Sequence, residues 1–375
     1  MVPEPDTGKV KRSLRVVVAG GGTGGHLFPG IAVANAFMDT NEKNRVLFIG
    51  PGRPFEIEAL ALAGFPQKTL SVEGIKGRRI WDKGRAMAKI PLAISQAMTL
   101  LGREGADLVV SVGGYAAGPV GLAAWLKGIP LVVCEQNTLP GITHRMLFPF
   151  ASRIFVSFEE TQGNINPTRK QVSGNPVRAD ILAAAKTAPG KKNEFIILVL
   201  GGSQGAHKIN LAVIDALSHL ANQADLRFIH QTGETDHERV MDAYTRHGVN
   251  SEVRAFFHDM AAQYQKADLV VCRAGATTLA ELAVLGKPAI LIPYPFAADN
   301  HQEHNARLFV ENGAARMILE KDLDGPALAR KISTLLASPD QLATMGERSR
   351  TLGRPDAASF IVKSCYQLVD NLACT

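Results

Sequence analysis

Five of the six residues at 20–25 are glycine, and they follow directly on the apolar run Val16-Val17-Val18-Ala19. An unbroken apolar run ending in glycines predicts a strand buried on both faces, the mark of a parallel sheet. A loop with so few Cβ atoms turns tightly, admits a ligand close to the backbone and leaves N–H groups pointing outward. Helical spacing follows over 31–38 through Ile31, Val33, Ala34, Phe37 and Met38, with Pro29 and Gly30 near its start. Strand, glycine loop and helix N-terminus together suit an anionic or polyhydroxylated group.

The unit recurs. Residues 194–200 lead into Gly201-Gly202-Ser203-Gln204-Gly205-Ala206 and a helical pattern from Ile209. A closer pair of echoes begins at Ala106-Asp107-Leu108-Val109-Val110 and at Ala267-Asp268-Leu269-Val270-Val271. Each opens onto glycine, then a helix, then a Gly-containing turn with proline (Gly128-Ile129-Pro130, Gly286-Lys287-Pro288) and a further strand. Both echoes keep their order and lie more than a domain length apart, so the fold class is α/β with two similar doubly wound halves. A chain of 375 residues accommodates two such domains, each with a full core.

Composition narrows the function. With 46% hydrophobic and 20% charged residues the chain belongs with soluble globular proteins rather than disordered ones. Its apolar runs are strand-sized, too short to span a bilayer. Residues 1–14 are polar and lack a signal-type apolar core, so a cytoplasmic location is expected. The four cysteines (Cys134, Cys272, Cys365, Cys374) show no C-x-x-C spacing, which argues against a disulfide framework or zinc site. A net charge of +6 without a nucleic-acid motif favours a phosphorylated substrate or an anionic membrane surface, not nucleic acid.

Gly20-x-Gly22-x-x-Gly25 matches the dinucleotide fingerprint in letters. A nicotinamide cofactor also wants an acidic residue ending the second strand; the chain has Gly50-Pro51-Gly52-Arg53 there, and Glu56 and Glu58 come too late, in the next helix. Between 74 and 101 the cations Lys76, Arg78, Arg79, Lys83, Arg85 and Lys89 oppose one Asp82, interleaved with Ile75, Ile80 and Trp81. This is either a solvated helix face over a core or a surface that lies on an acidic bilayer, to which Trp125 and Lys127 could add. Asp322-x-Asp324 matches a metal-binding D-x-D pattern, yet its setting is that of a solvated turn before a helix.

In open α/β sheets, polar residues at the carboxyl ends of strands line the ligand crevice. In the first half these are His26, Tyr115, and Glu135 with Asn137. In the second they are Ser203 and Gln204, His258, Thr277 and Thr278 with Glu281, and the run Asp299-Asn300-His301-Gln302. The irregular stretch 159–171 and Gly174-Asn175-Pro176-Val177-Arg178 predict the linker. After Pro355 a terminal helix carries Ile361, Cys365, Leu368 and Leu372 on one stripe.

Gly21-Gly22-Thr23-Gly24-Gly25-His26-Leu27-Phe28-Pro29, Gly113-Gly114-Tyr115, Glu135-Gln136-Asn137 and the 174–178 and 201–206 motifs occur in order with Cys272-Arg273-Ala274-Gly275-Ala276-Thr277-Thr278-Leu279-Ala280-Glu281 and Asp299-Asn300-His301-Gln302-x-x-Asn305-Ala306. Jointly they resemble the bacterial UDP-N-acetylglucosamine–lipid I N-acetylglucosaminyltransferases, the MurG family of glycosyltransferase family 28, over nearly the whole chain. The resemblance implies a GT-B fold: an N-terminal lipid I domain at 1–177, a C-terminal UDP-N-acetylglucosamine domain at 178–354, and a helix at 355–375 returning to the first. It implies transfer of N-acetylglucosamine to lipid I with inversion at the peripheral, cytoplasmic face of the cell membrane, without metal or cofactor. By the same resemblance Thr23, Gly24, Gly25, Asn137, Arg178, Ser203, His258, Thr277, Thr278, Glu281, His301 and Gln302 face the donor. Arg178 and Ser203 fall near the diphosphate, His258 at the uracil, Glu281 at the ribose, and His301 and Gln302 at the sugar hydroxyls. Gly22, His26, Gly113, Gly114, Tyr115 and Asn137 face the acceptor, and Ile75, Lys76, Arg78, Arg79, Trp81, Lys83 and Arg85 the membrane.

His301 replaces a glutamine, and Cys134 a histidine, found in some members. His26 and Glu135 are the candidate bases. A sugar-nucleotide 2-epimerase, another UDP-sugar lipid transferase of the same fold, a dinucleotide oxidoreductase and a non-catalytic sugar-nucleotide sensor are the rivals. UDP release in the presence of a lipid I analogue separates them.

Overall fold

The apolar runs form strands buried along nearly their whole length. A computed structural model describes residues 12–70, 90–187, 190, 193–220 and 225–373; the expected membrane-facing positions Ile75, Lys76, Arg78, Arg79, Trp81, Lys83 and Arg85 lie outside them. Strands β1 (Arg15–Gly20), β2 (Arg45–Gly50), β3 (Gln67–Thr69), β4 (Leu108–Gly113), β5 (Leu131–Glu135), β6 (Arg153–Val156) and β7 (Lys170–Val172) make a seven-stranded sheet in the order β3-β2-β1-β4-β5-β6-β7. Strands β8 (Phe195–Leu200), β9 (Leu226–Gln231), β10 (Asn250–Arg254), β11 (Leu269–Cys272), β12 (Ala289–Leu291) and β13 (Ala315–Met317) make a six-stranded one in the order β10-β9-β8-β11-β12-β13. Every pairing in both is parallel.

Helices cover both faces of each sheet, so each domain has two apolar layers. Val16, Val18 and Val110 pack into one layer of the first domain, Val17, Val109 and Val133 into the other. The alternation explains the continuous apolar runs: in a doubly covered sheet both faces are packed and favour apolar side chains. In each sheet the strand order reverses at one place, between β1 and β4 and between β8 and β11. There the outgoing loops diverge and leave a crevice at the carboxyl ends, so both glycine-rich loops stand at switch points.

Three local expectations are corrected. The first helix spans Gly24–Thr40, opening inside the glycine run and carrying Pro29 within it; poor helix formers concealed its first turn. The supposed linker at 159–171 is partly sheet, since β7 pairs with β6. The terminal helix Ala357–Ala373 buries Ile361, Val362, Cys365, Tyr366 and Val369, whereas Leu372 is exposed. It packs on the first domain, where Asn44 Nδ2 donates to Tyr366 Oη at 2.8 Å.

Candidate functional site

The first domain's switch point is built by two glycine loops in contact. Gly21 N–H donates to the Gly113 carbonyl at 3.1 Å. A Cβ on Gly114 would run into the Gly21 backbone, and one on Gly113 would lie 2.8 Å from His26 Nδ1; both residues have positive φ (87° and 96°), so glycine is required twice over. His26 is thereby seated on β4's end. Its Nδ1 meets Gln136 Oε1 at 3.2 Å. Burial, then the neighbouring His144, lower its pKa below the usual 6.5, with His301 adding to the effect and Glu135 and the Gln136 bond opposing it. His26 is therefore a neutral imidazole near neutral pH.

Glu135 is differently placed. Its Oε2 accepts from His144 Nδ1 at 2.7 Å and from Gly141 N–H at 3.2 Å; its Oε1 accepts from Asn137 N–H at 2.9 Å and Asn137 Nδ2 at 3.2 Å. Burial alone would raise this carboxyl, but His144 and these hydrogen bonds outweigh it and hold the pKa below the ordinary carboxylate value. His144 Nε2 in turn meets Ser111 Oγ at 3.0 Å. The sequence Ser–His–carboxylate is that of a nucleophilic triad, yet Ser111 is fully buried in β4 and out of reach of any substrate. The chain of bonds braces the loop that carries Asn137.

Glu56, discounted as a ribose ligand, has another use. It is buried in the helix Pro54–Leu62, its Oε1 accepts the Gly22 N–H and its Oε2 the Arg53 N–H at 3.0 Å. Gly22 thus donates to a carboxylate of the protein. By contrast Thr23 makes no side-chain cap on the helix Gly24–Thr40, and Thr23 and Gly25 are exposed. The helix N-terminus at Gly24 and Gly25 is the part of this loop open to an anion.

Polar contacts bring the second domain onto this rim. Pro29 has no N–H, so the Gly25 carbonyl lacks its usual partner one turn on. Thr277 Oγ1, from the helix Ala276–Leu285, donates to that carbonyl at 3.0 Å. Asn305 is fully buried in the helix His301–Glu311 and donates to Asn137 Oδ1 at 3.1 Å. Its Oδ1 accepts from Thr138 N–H and Oγ, each at 3.0 Å. Asp299 and Asn300 precede that helix in left-handed conformations (φ 53° and 57°), and Asp299 pairs with Arg145 of the first domain. The same turn holds Gln302, whose Oε1 accepts the Tyr294 N–H at 3.0 Å.

On the second-domain side, Glu281 is buried between Arg178 Nη2 at 3.2 Å and Tyr264 Oη at 3.1 Å. Burial pushes its carboxyl up, against the pull of Arg178 and the Tyr264 bond. The Arg178 guanidinium also lies 4.8 Å from the centre of the Phe28 ring across the cleft. The Gly202–Ser203 turn is exposed, tied down by Gln231 Nε2 donating to the Gly202 carbonyl at 2.9 Å. His258 is exposed beside Phe256, Thr278 is half-buried, and Tyr115 stands 46% exposed at the first domain's rim.

The structure therefore brings His26, Glu135, Asn137, Thr277 and His301 to one place, with Arg178 and Glu281 along the same cleft. Ser203 and His258 occupy other strand ends of the second sheet. Gln136, His144, Glu56, Tyr264 and Asn305 were missed as site residues; only Gln136 and Asn305 stood inside motifs that could have flagged them. Asp324 Oδ1 accepts the Ala327 N–H at 2.7 Å and caps the helix Gly325–Leu336, which accounts for the D-x-D letters.

Two facing Rossmann-like domains with glycine loops at both switch points define the GT-B architecture. The glycosyltransferase family 28 N-terminal domain matches residues 16–156, and the family's C-terminal domain matches residues 196–361. The chain belongs to glycosyltransferase family 28. It is 45% identical over 358 residues to the UDP-N-acetylglucosamine–N-acetylmuramyl-(pentapeptide) pyrophosphoryl-undecaprenol N-acetylglucosamine transferase of Syntrophus aciditrophicus, covering 95% of this chain and 99% of that one. The Geobacter metallireducens protein of the same name is 44% identical, covering 93% and 97%. Among solved structures, MurG of Acinetobacter baumannii superposes with a TM-score of 0.75 at 30% identity, over 93% of this chain and 98% of that one. The Neisseria meningitidis UDP-GlcNAc 2-epimerase shares the fold (TM-score 0.69, 94% of this chain and 100% of that one) at only 15% identity.

Proposed function

We propose that this chain transfers N-acetylglucosamine from UDP-N-acetylglucosamine to the muramyl sugar of lipid I, with inversion at the anomeric carbon. Kinship with transferases of that name over nearly their full length supports the activity. The hydrogen bond from Thr277 to the Gly25 carbonyl carries the site reading, because it sets a second-domain helix N-terminus beside the loop that ends in His26. The acceptor hydroxyl oxygen attacks the anomeric carbon, and the bond from that carbon to the UDP oxygen breaks. His26 takes the hydroxyl proton while the electron pair leaves with the diphosphate. Glu135 is the poorer base, since both its oxygens are already hydrogen-bonded and its pKa is depressed.

Charge developing on the departing diphosphate meets the open N-terminus of Ala276–Leu285 and the Arg178 guanidinium, which supply positive potential. The donor rests on the second domain, with Ser203 at the diphosphate, His258 at the uracil, Glu281 at the ribose, and His301 and Gln302 at the sugar. The acceptor rests on the Gly113–Gly114–Tyr115 turn and Asn137. Incubation with UDP-N-acetylglucosamine and a soluble lipid I analogue should release UDP with formation of the β-linked disaccharide; donor turnover to a free epimer instead would refute the transferase reading.

Among the described residues no helix is long and apolar enough to cross a membrane. The lipid acceptor calls for a peripheral membrane face, placed here on the first domain at the cytoplasmic surface. Trp125 and Leu126 are about half exposed beside Lys127, and Ile142 and Met146 stand 64% and 68% exposed on a neighbouring helix. The basic run 74–89 leads directly into the helix Ile90–Glu104, which packs against the helix carrying Trp125. Reversing Arg78, Arg79 and Lys83 to Glu should abolish sedimentation with anionic vesicles while sparing turnover of a soluble acceptor.

A further inference from the structure

A histidine acts as a base through whichever ring nitrogen lacks the proton, and that choice belongs to its neighbours. Gln136 makes the choice for His26. Its amide is fully buried, and one end lies against two backbone carbonyls, Cys134 O at 2.7 Å and Val112 O at 3.1 Å. A carbonyl only accepts, so that end must be the NH2 group. The other end, Oε1, therefore faces His26 Nδ1 at 3.2 Å and can only accept as well. The proton on His26 must sit on Nδ1, and the lone pair on Nε2.

We infer that Gln136 is a positioning residue that holds His26 in the Nδ1–H tautomer and so turns Nε2 into the proton acceptor for the sugar hydroxyl. This rests on the proposal that His26 is the base. The ring's Nδ1–Cε1 edge lies on Gly113, where a side chain would displace it from the amide. Among the described residues no protein group pairs with Nε2. The other titratable groups near the ring are His144 and Glu135 of the first domain and His301 of the second, which act on it through their charge; among the described residues the hydrogen bond at Nδ1 is the one to Gln136.

Histidine labelled with 15N reads the tautomer directly in the full-length protein. In long-range proton–nitrogen correlation spectra near neutral pH, the His26 signals, identified by their loss in His26→Ala, should show a protonated Nδ1 and an unprotonated Nε2. A wild-type spectrum with Nε2 protonated overturns the role of Gln136 and leaves His26 as a candidate base. Gln136→Met removes the acceptor while keeping the volume. It should move proton density onto Nε2 and lower kcat by about tenfold or more, short of the roughly 10²–10⁴ expected for outright loss of a base, with both KM values within a few-fold. Gln136→Glu keeps an acceptor at Nδ1 but adds a charge that favours the imidazolium, so the acid limb of the rate profile should move to higher pH. If the tautomer changes in Gln136→Met while kcat does not, the base assignment itself fails. Should Gln136→Met not fold, the wild-type spectrum alone still decides the tautomer.

Discussion

A neutral imidazole in a half-buried crevice is a different reagent from one in water, and His26 is of the first kind. Burial and His144 favour its uncharged form, so it loses its proton below pH 6.5 and is neutral at neutral pH, the form the proposed base needs. The acid limb of kcat/KM should therefore fall below pH 6.5, and His26→Ala should lower kcat by about 10²–10⁴ while leaving donor affinity nearly unchanged. A mutant that loses mainly acceptor affinity would make His26 a binding residue. Glu281 belongs to the same scale. Alanine there would also open a hole beside Arg178 and take the acceptor from Tyr264 Oη, so Glu281→Gln is the cleaner change; it should weaken UDP-N-acetylglucosamine binding by roughly 1.5–3 kcal/mol, the worth of a charged hydrogen bond. Unaltered binding in calorimetry would take Glu281 out of the donor site.

At the scale of elements, the packing of helices on the second sheet contains a pH-sensitive joint. His230 of β9 is fully buried, with Nε2 3.0 Å from Asn210 Oδ1 on the helix His207–Leu220 and Nδ1 3.1 Å from Tyr244 Oη on the helix His237–His247. Asn210 Nδ2 donates to the Thr232 carbonyl and to Asp236, so its oxygen faces His230 and Nε2 carries the proton. Burial pushes the His230 pKa down to about 3. The unfolded chain, with its histidine near 6.5, binds the proton first as pH falls. Stability from this group is complete above pH 6.5 and should decline toward pH 3 by about 1.4 kcal/mol per pH unit. Denaturant titrations across that range should show the slope, and His230→Gln should flatten it.

The first glycine loop owes its interdomain contact to an element-scale defect. A proline six residues into a helix removes one backbone donor, and the carbonyl left over, Gly25, becomes the landing point for Thr277. Elsewhere an orphaned carbonyl near a helix end would take water; here it meets a hydroxyl from the other domain.

For the whole molecule, the question is what holds two independently cored domains in register. Asn305 is the buried link: one amide spans Asn137 and Thr138 of the first domain from a helix of the second. Asn305→Leu keeps the bulk but takes the Asn305 partner from the Thr138 N–H and from Asn137 Oδ1, at a cost of about 1–3 kcal/mol. Hydrogen exchange should quicken at 137–138 and around 305, and calorimetry should separate the unfolding of the two domains. Unchanged exchange at both places would show that the domains are held elsewhere. The helix Ala357–Ala373 adds a second tie, since a chain segment from beyond the second sheet completes the first domain's core through Ile361, Val362 and Cys365.

The sequence by itself determined the two parallel sheets, the glycine loops at their switch points and the strand ends that carry His26, Glu135, Asn137 and Glu281. Period, glycine content and strand-end position are local properties, and local sterics read them directly. Only the tertiary structure decided which partners each of those groups has. Gln136 and His26 are 110 positions apart, and Asn137 and Asn305 are 168; nothing in either neighbourhood encodes the meeting. Glu135 and His26 look equally available along the chain, and packing separates them by giving Glu135 four hydrogen bonds and His26 one, to Gln136.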